Sequence, residues 1–113
     1  QERYPERPIR LVVPYQPGGG TDIVGRIVAQ RLTETMGQSV VVENRSGAAG
    51  TIAGRFVATS APDGYTLLID SLSIAQNASL FRNPPFSAAN DLVAVAQLVE
   101  LPFIVAVNRR VAV

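Results

Sequence analysis

The chain has 113 residues, of which 47% are hydrophobic and 17% charged, and its formal net charge is +1. Those figures describe one globular domain or part of one, and they exclude a disordered chain or a basic nucleic-acid binder. Every one of the 10 basic residues is arginine, and His and Cys are both at 0, which removes lysine Schiff bases, thiol chemistry, the commonest zinc ligands and Ser-His nucleophile activation.

Taken in order, Ile9-Arg10-Leu11-Val12-Val13 is a short apolar run between Pro8 and Pro14, the pattern of a buried parallel strand. Pro14-Tyr15-Gln16-Pro17-Gly18-Gly19-Gly20-Thr21-Asp22 follows as a tight turn. Its glycines let backbone N–H groups approach a guest without Cβ interference, and the next helix aims its positive dipole end at the same place. Thr21 is expected to cap that helix, with Asp22 in the first turn. Ile23, Val24, Ile27, Val28, Leu32 and Met36 recur at helical spacing until Gly37 ends it.

A second strand is expected over 39–43, followed by the small-residue turn Asn44-Arg45-Ser46-Gly47-Ala48-Ala49-Gly50. Thr51 is expected to cap a shorter helix carrying Ile52, Phe56 and Val57, and Pro62-Asp63-Gly64 marks a structural turn. Residues 65–69 form a third strand, 74–80 a short helix, 92–100 an alternating strand, and Phe103-Ile104-Val105-Ala106-Val107 a final apolar strand. Strand alternating with helix implies an α/β fold with a parallel sheet and right-handed crossovers. Sheets of this kind bind ligands outside the carboxyl ends of their strands, where the loops at 15–22, 44–51 and 70–74 all fall.

Each candidate has a second reading. The loop at 17–22 fits neither GxxxxGK[ST] nor GxGxxG, since Ile23 stands where the third glycine belongs, so it is either an anion-binding loop or a tight connection. Gly47-Ala48-Ala49-Gly50 is a weak signal alone, but two such loops at neighbouring strand ends can present two sets of N–H donors to one carboxylate or phosphate. Ser71 and Ser73 either donate hydroxyl hydrogens to a guest or make a local turn and cap, and Tyr15 either walls the ligand or packs over the next loop. Asp22 and Asp91 are accounted for by a helix start and a turn, whereas Asp70 has no such explanation. No catalytic residue, metal site or cofactor is implied. The rival readings are a small α/β enzyme using Asp22 or Asp70, and a stand-alone interaction module pairing through an edge strand.

No apolar run reaches the roughly 18 residues needed to span a bilayer. Gln1-Glu2-Arg3 has the look of a mature end after signal-peptide removal or of an artificial boundary. At the other end, the strand at 103–107 lacks a covering helix, so the chain is expected to be the first part of a longer protein or to be covered by another copy.

Four stretches carry a resemblance: Pro8-Ile9-Arg10-Leu11-Val12-Val13-Pro14; Pro17-Gly18-Gly19-Gly20-Thr21-Asp22; Val40-Val41-Val42-Glu43-Asn44-Arg45; and Ala61-Pro62-Asp63-Gly64-Tyr65-Thr66-Leu67-Leu68. In this order and at these intervals the chain resembles a Bug-type substrate-binding protein of the tripartite tricarboxylate transporter system. The resemblance implies a periplasmic receptor whose two α/β lobes close on a small organic acid and hand it to membrane permease subunits, with no reaction of its own. It implies that residues 1–113 are an incomplete first lobe, with 102–113 the start of a crossover to a second lobe; separately, the uncovered apolar strands lead to the expectation that this piece self-associates. Ligand contacts carry over to Pro17, Gly18, Gly19, Gly20, Thr21 and Asp22 in the first loop and to Ala48 and Ala49 in the second. Two departures stand out: Ile69-Asp70-Ser71-Leu72-Ser73 replaces the family's small or glycine-rich third loop, and Ser46 replaces its usual proline.

Overall fold

A computed structural model describes residues 3–112, so the reading of Gln1 and Glu2 as a mature end, and the last residue of the 102–113 segment, lie outside the described residues. Strand β1 (Ile9–Val13) leads to helix α1 (Gly20–Met36), strand β2 (Val40–Asn44), a 3₁₀ turn (Ala48–Gly50) and helix α2 (Thr51–Ala58). Strand β3 (Thr66–Leu68), helix α3 (Ser73–Leu80) and the short helix α4 (Ala88–Asp91) complete the described elements.

The three strands form one sheet in the order β2-β1-β3, with both pairings parallel, so the α/β parallel architecture implied by the sequence is what forms. Ile9 pairs with Val40 and Val13 with Asn44 on one side of β1; Leu11 pairs with Leu67 on the other. Because side chains alternate along a strand, β1 serves two layers at once. Ile9, Leu11 and Val13 join Ala29 of α1, Val40 and Ile69 in the core, with Val24, Leu32 and Met36 packed around them. Burying an aliphatic side chain of this size contributes about 1.5–3 kcal/mol, so this layer is the main source of stability. On the other face, Arg10 lies over the Phe56 ring of α2 at 4.9 Å, and Arg45 lies over the same ring at 3.6 Å. Glu43 takes hydrogen bonds from both arginines; burial pushes its carboxyl up, but those bonds outweigh it and hold it below its usual range.

The helix starts differ from expectation. The N-cap of α1 is Gly19 and that of α2 is Gly50, and neither Thr21 nor Thr51 caps its helix. Thr51 donates its hydroxyl to Ala48 O at 2.7 Å, while the capping bond expected of Thr21 is replaced by Asp22, which reaches back to Gly18 N at 2.9 Å. Gly37 closes α1 as read, with φ 73° and its N–H on Thr33 O at 3.1 Å.

The larger correction concerns the last third of the chain. No strand forms over 92–100 or 103–107, and Val93, Val95, Phe103, Ile104 and Val105 are 83–99% exposed. A strand exists only against a partner, and both segments lie without one among the described residues, so the apolar pattern by itself does not make a strand here.

Candidate functional site

Since all three strands are parallel, the loops after β1, β2 and β3 gather on one edge. In the first loop Pro17, Gly18, Gly19 and Gly20 are exposed, Thr21 is half-buried, and Gly18 takes the left-handed φ of 97° that favours glycine. No atom lies within 4 Å of where a Cβ would stand on Gly18 or Gly20, so the loop's outer side is open. The first intrahelical bond of α1 runs from Ile23 N to Gly19 O at 3.0 Å, which leaves the N–H groups of Gly20, Thr21 and Asp22 ahead of the helix's own ladder.

The Asp22 side chain turns inward, only 2% exposed. Its Oδ2 accepts from Gly18 N at 2.9 Å and Arg26 Nε at 3.0 Å, and its Oδ1 from Asn44 Nδ2 at 2.9 Å. Hydrogen bonds from Asn44, then Gly18, then Arg26 lower its pKa from 3.8 to about 2. Asn44 also donates to Tyr15 O at 3.0 Å, so one amide at the end of β2 fastens both the first loop and the start of α1. A further tie, Gln16 Nε2 to Ser46 Oγ at 2.9 Å, joins the first loop to the second. Ser46, a departure from the family pattern, is thus the residue that makes this link.

The second loop is a run of positive φ: Gly47 at 120°, Ala48 at 50°, Ala49 at 56° and Gly50 at 85°. Left-handed backbone is unfavourable for alanine by about 1–2 kcal/mol per residue, so the surroundings must hold it. The turn's own hydrogen bonds run from Gly50 N to Gly47 O and from Thr51 N to Ala48 O, so the N–H groups of Ala48 and Ala49 take no part in them. Both alanines are exposed. The restraint comes from α3, where Asn77, 4% exposed, donates Nδ2 to Ala49 O at 3.0 Å. A Cβ on Gly50 would stand 2.4 Å from Ser73 Oγ, so α3 packs directly on the loop. Asn77 Oδ1 is buried without a partner among the described residues.

At the third loop, Asp70 supplies what the sequence left unexplained. Its Oδ1 accepts from Tyr15 Oη at 2.6 Å and Ser71 N at 2.8 Å; its Oδ2 accepts from Ser73 Oγ at 2.7 Å and Ile74 N at 2.8 Å. Tyr15 Oη also lies 3.2 Å from Ser71 Oγ. Tyr15 is half-buried, Ser71 exposed and Ser73 buried. The structure therefore brings Tyr15, Ser71 and Ser73 together around one carboxylate, with the Ser73 hydroxyl hydrogen committed to it. Sequence reasoning missed Asn44, Asn77 and the linking role of Asp70, because their partners lie 22 to 55 positions away and no local pattern announces them.

Among the described residues no group of three or more His, Cys, Asp or Glu could hold a metal ion, and no helix is long and apolar enough to cross a membrane. A concavity of about 430 Å³ against Arg7, Arg10, Phe56, Ser60, Asp63 and Tyr65 is away from the three loops, and its arginines are paired with Asp63 and Glu43.

A parallel sheet whose helix-opening loops converge at the carboxyl ends of its strands defines a ligand-binding α/β lobe. The profile of the tripartite tricarboxylate transporter family receptors matches residues 24–112, and the chain belongs to that family, which is one of receptors, not enzymes. It is 43% identical over 109 residues to the protein BugT of Bordetella pertussis, covering 95% of this chain and 33% of BugT. The structure of the periplasmic binding protein BugD superposes with a TM-score of 0.70 at 46% identity, over 74% of this chain and 28% of BugD. MatC from Rhodopseudomonas palustris with bound malate gives a TM-score of 0.80 at 38% identity, over 84% of this chain and 33% of MatC. The R. palustris protein Rpa4515 with adipate gives 0.73 at 42% identity, over 77% of this chain and 29% of that protein. The chain thus spans about a third of the length of these relatives and forms part of one lobe of a periplasmic binding protein fold.

Proposed function

We propose that this chain is the ligand-contacting part of the first lobe of a periplasmic receptor that binds the carboxylate of a small organic acid for delivery to permease subunits of a tripartite tricarboxylate transporter. One observation carries the reading: two exposed, helix-opening loops, 17–22 and 47–50, stand side by side at the ends of neighbouring parallel strands, bound to each other through Gln16–Ser46 and Asn44. Backbone N–H groups at Gly20, Thr21, Ala48 and Ala49 then share one anionic guest, a task that needs neither lysine nor histidine. Pro17, Gly18 and Gly19 shape the approach; Asp22 serves the ligand indirectly, by fixing the loop that meets it. The malate-bound and adipate-bound relatives support the same class of guest.

In this reading residues 102–113 begin the crossover to a second lobe, and the exposed apolar residues between Val93 and Val111 meet parts of the receptor beyond this chain or, in isolation, another copy. Titration of the chain with adipate and with malate, followed by amide chemical shifts, tests the site. Shifts concentrated at 16–22 and 47–50 in the millimolar range support it, and a saturating excess that leaves both loops unmoved refutes it. A strictly monomeric mass by light scattering refutes the self-association.

A further inference from the structure

The third loop differs from the other two in the direction its hydrogens point. Tyrosine carries a single hydroxyl hydrogen. That of Tyr15 is committed to Asp70 Oδ1 at 2.6 Å, so in the 3.2 Å contact between Tyr15 Oη and Ser71 Oγ it is the serine that donates. The Ser73 hydroxyl donates to Asp70 Oδ2, and Ser71 N and Ile74 N donate to the same carboxylate. Both oxygens of Asp70 thus receive two hydrogens each. The position at the start of α3 where an external carboxylate would collect donors is already filled by an internal one.

What remains toward solvent on this side is acceptor capacity: the lone pairs of the exposed Ser71 Oγ, backed by the negative charge of Asp70, which has no arginine partner among the described residues. An anionic group placed here meets a like charge and a serine hydroxyl hydrogen already engaged with Tyr15, whereas a hydroxyl or ammonium group finds an acceptor and a favourable field. Loops one and two stand in the opposite condition, offering N–H groups.

We propose that Asp70 makes the third loop an acceptor surface, and that the natural ligand carries a hydroxyl or ammonium donor next to the carboxylate held by the first two loops, as in a 2-hydroxy or 2-amino acid. This rests on the carboxylate reading of the first two loops. Tyr15 and Ser71 are its specificity-determining contacts, and Ser73 is a positioning residue that acts through Asp70.

Succinate, malate and aspartate form a matched series that differs by one hydrogen, hydroxyl or ammonium group. Amide-shift titration of the chain with each is expected to give malate or aspartate a dissociation constant at least about tenfold below that of succinate, the scale of one well-placed hydrogen bond. Asp70→Asn, which keeps the shape and removes the charge, and Ser71→Ala, an exposed position with no packing to lose, are each expected to shrink that ratio below about threefold. Succinate binding as tightly as the other two, or an unchanged preference in both variants, overturns the proposal while leaving the carboxylate reading intact. If none of the three acids shifts residues 16–22 or 47–50, the carboxylate reading falls and the proposal with it.

Discussion

Asp22 and Asp70 each gather donors from distant parts of the chain, yet they sit in opposite electrical settings. Asp22 is buried in the first turn of α1 and shares its charge with Arg26 at 3.0 Å, so its negative field is largely cancelled where it stands. Asp70 is half-buried, takes four hydrogen bonds from neutral groups, and keeps its charge beside the open edge. The same chemical group is a fastening at one strand end and a determinant of local potential at the other. The presence of a carboxylate in a binding loop therefore says little; what neutralises it decides its role.

Variants can break this contrast from either side. The largest loss of stability is expected from Asp22→Ala, which strips a partner from Asn44 Nδ2, Gly18 N and Arg26 together, and it will appear as the greatest fall in thermal midpoint in the set. Because the Asp22 pKa is lowered in the fold from 3.8 to about 2, its stabilising contribution is complete above about pH 4 and is lost as pH falls through about 2. The difference in thermal midpoint between the natural chain and Asp22→Asn should accordingly narrow over that window. A difference independent of pH would show that charge is not what Asp22 supplies.

Next in size is Gly50→Ala. Its φ of 85° and a Cβ 2.4 Å from Ser73 Oγ combine backbone strain with a collision, for a cost of about 1–3 kcal/mol in urea denaturation. Asp70→Ala is expected to cost less, about 1–2 kcal/mol, since Asp70 itself is half-buried and water can take the place of its carboxylate. A cost exceeding that of Asp22→Ala would reverse the contrast drawn above. The smallest effect belongs to Arg31→Ala: its pair with Glu34 spans 3.8 Å on an exposed helix face, and the change should stay within about 0.5 kcal/mol.

What could be read from the residues followed the range of the interactions involved. Ile9–Val13 is flanked by prolines and β-branched within, and it forms the central strand; Gly37 ends α1 because only a left-handed residue fits there. Local chemistry misled at Thr21 and Thr51, where a good capping residue stands one or two positions inside a helix that glycine begins. It misled again at 92–107, where alternation signals a strand but says nothing about whether a partner is at hand. The acceptor side of the site was hidden altogether, since Asp70 acquires its meaning from Tyr15, 55 positions earlier.

The bonds running between the loops, from Asn44 to Tyr15 O, Gln16 to Ser46, Tyr15 to Asp70 and Asn77 to Ala49, leave none of the three free to move by itself. Such cross-bracing settles the entropy of the site during folding instead of at the moment a guest arrives, so little ordering remains to oppose binding on this side. If the proposed receptor closes over a guest, this edge is expected to move as a single rigid plate.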